Sequence, residues 1–154
     1  MEIHERLDER FLSHQEALLA ADVRLAATRL DEYERTLRTH MEDEEALLLP
    51  VYERAGRIPG GAVEFFTSEH RKMLEMLARI KARLAQFDAA PAPREIIRLF
   101  DDESRYKRLV EHHDQREQNI LYPALDRVTE DAERLALLRQ CAAPPHESAP
   151  PPSS

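Results

Sequence analysis

Apolar residues recur three and four positions apart along most of the chain, a spacing that puts them on one face of an α-helix. Residues 3–21 carry Leu7, Phe11 and Leu18 on one stripe, and Asp22 has the short carboxylate that caps a following helix. The second stripe holds Leu30, Tyr33, Leu37, Leu47 and Val51 and stops near Ala55 and Gly56, before Arg57-Ile58-Pro59-Gly60-Gly61. The third holds Val63, Phe66, Met73, Leu77, Ile80, Leu84 and Phe87, closed by Ala89-Ala90-Pro91-Ala92-Pro93. The fourth reads Ile96, Leu99, Tyr106, Val110, Ile120 and Ala124, and Thr129 is the expected N-cap of a short fifth helix ending near Cys141.

Four amphipathic helices joined by short loops predict an all-α, antiparallel, up-down-up-down four-helix bundle. Residues 1–141 form one expected domain, long enough to bury a core without staples. Residues 142–154 are too rich in Pro and Ser to pack and are expected to be a disordered tail. The charge of −8 disfavours nucleic acid or an anionic membrane surface as a partner, because either demands a concentrated cationic face. No stretch approaches the ~20 consecutive apolar residues that span a bilayer. Cys141 is the only cysteine, so no internal disulfide can form, and the first residues lack the pattern of a secretory signal. The expected compartment is the cytoplasm.

Polar residues interrupt the seams. The second helix reads Tyr33, Leu37, His40, Glu44, Leu47 along its inner face, and the fourth reads Val110, His113, Glu117, Ile120. The third sets His70 between Phe66 and Met73, and the first places His4 and His14 on the stripe of Leu7 and Phe11. Two of seven heptad positions face a seam, so about two of six helical histidines would fall there by chance. All but His112 do. A lone inward histidine is ordinarily a core residue bonded to a carbonyl or carboxylate. For the set, burial without a partner would cost several kcal/mol per charged group, and a metal cluster removes that cost.

The pattern also repeats. His40-x-x-x-Glu44 precedes Pro50 as His113-x-x-x-Glu117 precedes Pro123, an offset of 73 residues. A four-residue step stacks imidazole and carboxylate on one helix face, within reach of one cation pair. Each proline removes a backbone hydrogen bond, to Ala46 or Asn119, and is expected to bend or end its helix beyond the site.

All ligands must share one layer, and two antiparallel helices meet a layer at equal distances from their common turn. The midpoint of His70 and His113 falls between residues 91 and 92, in the proline loop, and that of His40 and His70 at residue 55. For the first helix, His4 and His40 centre on Asp22, the expected turn, whereas His14 and His40 centre on Ala27, inside a helical pattern. His4 is therefore the expected ligand, and His14, roughly 15 Å further along, reads as a core or channel residue. His113 is preferred to His112 on its seam position. Glu103 also falls on the fourth seam, where pairing with an arginine or a place at the bundle end is expected.

The order His4, His40-x-x-x-Glu44, His70, His113-x-x-x-Glu117 resembles the pattern of the hemerythrin/HHE cation-binding family. His4-x-x-Leu7-Asp8-x-x-Phe11, Glu44-Glu45-x-x-Leu48-x-Pro50 and Leu121-Tyr122-Pro123 resemble it too, and the resemblance covers about residues 4–126. It implies a non-haem di-iron centre. Oxygen-carrying hemerythrins have a fifth histidine one turn from the third-helix ligand, whereas the neighbours of His70 here are Phe66 and Leu74. The similarity is thus closer to the six-ligand bacterial HHE proteins, which are associated with sensing or handling O₂, peroxide or NO and with repair of damaged iron centres.

Imidazole with carboxylate suits iron, with manganese or zinc as substitutes; zinc's structural sites prefer thiolates, and calcium and magnesium prefer oxygen. With both glutamates and an oxide or hydroxide bridging, about two of twelve octahedral positions stay open for small diatomic or peroxide ligands. Leu37, Leu47, Met73, Leu77 and Ile120 are expected to shape the pocket. The alternatives are a di-iron enzyme, peroxide-decomposing or repairing, and a metal-free helical interaction module. Nothing in the sequence names a protein partner.

Overall fold

The computed structural model describes residues 2–142, all of them in helices or their connections, with no strand among them. Four long helices carry the predicted stripes: α1 (Glu2–Leu19), α2 (Val23–Asp43), α4 (Val63–Leu84) and α5 (Pro93–Arg116). Three shorter ones, α3 (Leu49–Tyr52), α6 (Tyr122–Val128) and α7 (Asp131–Ala142), complete the order. Among the described residues, no helix is long and apolar enough to cross a membrane. Apart from Ala142, the last residue of α7, the expected disordered tail lies outside the described residues.

Local chemistry sets the helix ends. Asp22 caps α2 by accepting the Leu25 N–H at 3.1 Å. The α2–α3 run closes in a tight turn over Glu53–Ala55, and Gly56 follows at φ 74°, where a glycine costs least. Pro93 opens α5, where its missing N–H has no helical role to lose. Two ends differ from the expectation. Helix α4 stops at Leu84, and Phe87 returns in a turn bonded to the Leu84 carbonyl, still packing on the core. Thr129 does not cap α7; its hydroxyl donates back to the Leu125 carbonyl at 2.6 Å and closes α6 instead.

The prolines act differently from either expectation. Ahead of each, the helix widens into a single π-helical turn, Glu44–Leu48 and Glu117–Leu121, and then continues. The Leu49 N–H reaches back five residues to Glu44, and the Tyr122 N–H to Glu117. One extra residue per turn shifts the ladder, so the ring of Pro50 or Pro123 is accommodated without breaking the rod. Both widened turns begin at a glutamate of the repeated pair.

Two apolar clusters fill the interior. One joins Leu7, Phe11, Leu30, Leu37, Met73, Leu77 and Leu99 with their neighbours; the other joins Leu49, Tyr52, Phe66, Leu121, Ala124 and Leu125. The histidines and glutamates of the repeated pattern occupy the level between them.

Candidate metal centre

Four helical rods each deliver ligand-type side chains to that level. His4 comes from α1, His40 and Glu44 from α2 and its π turn, His70 from α4, and His113 and Glu117 from α5 and its π turn. Their donor atoms form two overlapping groups, His4, His40, Glu44 and Glu117, and Glu44, His70, His113 and Glu117, with the atoms of each group within 4.8 Å of one another. The two glutamates belong to both groups. Five of the six residues are buried, and His40 is part-buried.

Hydrogen bonds from outside this level orient two of the rings. His70 Nδ1–H donates to Glu45 at 2.8 Å and His113 Nδ1–H donates to Glu69 at 2.7 Å. With Nδ1 engaged on those carboxylates, both rings turn Nε2 inward, where the two nitrogens stand 3.2 Å apart. Two lone pairs facing each other repel unless a proton or a cation lies between them. Nε2 of His70 is 3.0 Å from Glu44, that of His40 2.9 Å from Glu44, and that of His4 2.9 Å from Glu117.

Five buried atoms nonetheless lack an aligned hydrogen bond: both ring nitrogens of His4, Nε2 of His40, one oxygen of Glu44 and one of Glu117. Unsatisfied buried polar atoms cost about 1–3 kcal/mol each. Five gathered at one level fit a cation as the missing partner, and imidazole nitrogen with carboxylate oxygen is a donor set for a transition metal.

Protons stand in when no cation is bound. Burial pushes the His40 imidazole down, but Glu117 and Glu44 outweigh it and raise its pKa to about 10. His113 behaves alike, burial opposing and Glu117 with Glu69 raising it to about 10. Burial would raise Glu117, but His113, His4 and His40 hold it far below the usual carboxylate range. Asp114, 3.7 Å from His4, is pushed up to about 6 by its burial.

His14 is not part of this level. Its Nδ1–H donates to the Ala26 carbonyl at 2.8 Å, and its Nε2 lies 3.1 Å from both oxygens of Glu103. The partner of Glu103 is thus not the expected arginine but His14, with the Gln15 side-chain amide donating to the same carboxylate at 3.3 Å. His112 is exposed and bonded to Arg116, outside the site. Of the expected pocket residues, Leu37, Met73 and Leu77 lie in the larger apolar cluster and Ile120 packs on the smaller, whereas Leu47 is a member of neither.

Reading seams overlooks the groups that hold the ligands from outside. These are Glu45 and Glu69; Arg116, which donates to Glu69 at 2.7 Å; and Tyr122, whose hydroxyl donates to Glu117 at 2.8 Å. The available signal was adjacency: Glu45 follows Glu44, Glu69 precedes His70, and Tyr122 lies in the Leu-Tyr-Pro stretch.

The chain matches the family model of the hemerythrin HHE cation binding domain over residues 1–102 and again over 61–141. The two overlapping matches accord with the internal repeat of His-x-x-x-Glu. No curated protein and no solved structure matches it. With this family match across the chain, and histidines and glutamates gathered as a cation cluster at the centre, the protein belongs to the hemerythrin HHE cation-binding family.

Proposed function

We propose that this protein holds two iron ions through His4, His40, Glu44, His70, His113 and Glu117, and senses or handles O₂, peroxide or NO. The observation that carries the reading is the pair of ligand groups sharing both glutamates, with unsatisfied donor atoms on them. If each glutamate bridges, four imidazole nitrogens and four carboxylate oxygens would fill eight of twelve octahedral positions and leave room for an exogenous ligand. Iron, when bound, supplies the electrons and the open positions such a ligand needs.

The chain's own residues do the rest. Glu44 and Glu117 hold the layer together from opposite helices. Glu45 and Glu69 fix the tautomers of His70 and His113 so that Nε2 points inward. Apolar clusters on either side exclude water. The reading takes the four long helices as an up-down-up-down bundle, supported by the contacts of His4 with Glu117, His14 with Glu103, His70 with Glu44 and Lys81 with Glu34. In each pair the residue numbers rise on one helix as they fall on the other. Cytoplasmic residence is part of the same proposal, in keeping with a single unpaired cysteine.

Elemental analysis of purified protein, followed by anaerobic spectroscopy under O₂, peroxide and NO, tests the reading. Two irons per chain and a spectrum that responds to at least one of the three is the expected result. Protein without metal whose stability is unchanged in His40→Ala and His113→Ala would instead establish a structural module. Iron-dependent release of O₂ from peroxide would extend the role to an enzyme.

A further inference from the structure

The two cation positions have the same kinds of ligand but different surroundings. At the His70/His113 position each imidazole is backed by a carboxylate, Glu45 at 2.8 Å and Glu69 at 2.7 Å. Glu69 is itself anchored: Arg116 donates to it at 2.7 Å, donates to the Gly60 carbonyl, and lies over the Phe65 ring at 5.0 Å. A carboxylate behind a metal-binding imidazole fixes the ring's tautomer and orientation and strengthens its inward nitrogen. Glu45 is 46% exposed and shares its charge with water, while Glu69 is 9% exposed, so Glu69 exerts the stronger pull.

At the His4/His40 position this backing is missing. Four of the five unsatisfied buried atoms are there: Nδ1 and Nε2 of His4, Nε2 of His40 and Oε1 of Glu44. Nδ1 of His4 has no acceptor, so no group behind the ring orients it. The Tyr122 hydroxyl donates to Oε2 of Glu117, the oxygen facing His4 and His40, and draws charge away from that position. Asp114 adds a negative charge 3.7 Å from His4, but it orients no ring and its partial exposure screens it.

Building on the two-metal reading, we propose that the positions are unequal. The His70/His113 position fills first and binds more tightly, with Glu69 as its positioning residue and Arg116 as the anchor of Glu69. The His4/His40 position is the exchangeable one. An outer partner of this kind changes metal affinity by about ten- to hundredfold, which sets the expected gap.

Anaerobic titration of the metal-free protein with Co(II), followed by ligand-field absorption and calorimetry, tests this. Two equivalents should bind in two steps whose affinities differ by about ten- to hundredfold. His40→Ala should abolish the second step and leave the one-equivalent spectrum unchanged. Glu69→Gln, which keeps a hydrogen-bond acceptor but loses the charge, should weaken the first step about tenfold or more and leave the second nearly alone. Arg116→Gln leaves Glu69 in place but unanchored and should weaken the same step by a smaller factor, a check should Glu69→Gln lose helicity. Two equal steps, loss of the first step in His40→Ala, or equal weakening of both steps in Glu69→Gln would overturn the inequality alone. Uptake of fewer than two equivalents would remove the two-metal reading and the inequality together.

Discussion

Two polar layers cross the interior of this bundle, ten residues apart on α1 and on α5. In one, His14 pairs with Glu103 and the Ala26 carbonyl, and the hydroxyls of Tyr33 and Tyr106 bond to each other at 2.7 Å. Every one of those side-chain groups finds its partner within the chain. In the other, six histidines and glutamates converge and five of their atoms have no aligned partner. Both layers replace apolar residues with polar ones in a closely packed core. A buried histidine therefore does not by itself mark a metal; an unsatisfied one among carboxylates does.

The sharpest way to break this comparison is metal content. Glu117→Ala leaves both cation positions short of a ligand, and elemental analysis should show a fall from two metal ions per chain to nearly none. His14→Leu combined with Glu103→Leu should retain both ions, since that layer contributes no ligand. Metal loss in this double variant would show that the layers are not independent.

Stability comes next. Glu103→Ala strands His14 in an apolar interior and should destabilise the fold by about 3–5 kcal/mol in denaturant titration. Replacing both partners by leucine should be nearly neutral or stabilising, as removal of a whole buried pair often is. A pair whose joint removal costs as much as the single change would point to a role beyond packing.

Titration separates the layers more gently. In metal-free protein His40 and His113 have pKa values raised from 6.5 to about 10, their flanking carboxylates outweighing burial. Raised folded-state values mean stabilisation that is complete below pH 6.5 and is lost as pH climbs towards 10. Thermal melting of the metal-free form should accordingly decline across that window. The metal-loaded form should decline less, and metal uptake there should release protons.

The smallest effect belongs to the tyrosines. Tyr33→Phe leaves the Tyr106 hydroxyl buried without a partner and should cost about 1–3 kcal/mol, whereas Tyr33→Phe with Tyr106→Phe should cost less. Metal content should not change in either.

Much of this was legible along the chain. The stripes at three and four residues set the helices, Asp22 and Gly56 their ends, and the repeated His-x-x-x-Glu the level where polar groups meet. Equal distances from a common turn separate His4 from His14 because helical rise is uniform. The same ruler would have paired His14 with Glu103, each ten residues from a histidine of the central layer, but a lone glutamate on a seam suggests an arginine partner first. The outer groups stayed hidden for a different reason. Glu45, Glu69 and Arg116 sit one residue away from, or one turn beside, the inner face, where periodicity reads solvent-facing charge.

What the sequence alone determined was the four long helices, their apolar faces and the level at which histidines and glutamates of the repeated pattern turn inward, since periodicity follows from helix geometry. Tertiary structure decided what hydrogen bonding across helices decides. It paired His14 with Glu103, turned the prolines' lost bonds into widened turns, and backed His70 and His113 with carboxylates while leaving His4 without one. A hydrogen bond between helices depends on angles and distances of a few tenths of an ångström, which a sequence spacing does not specify.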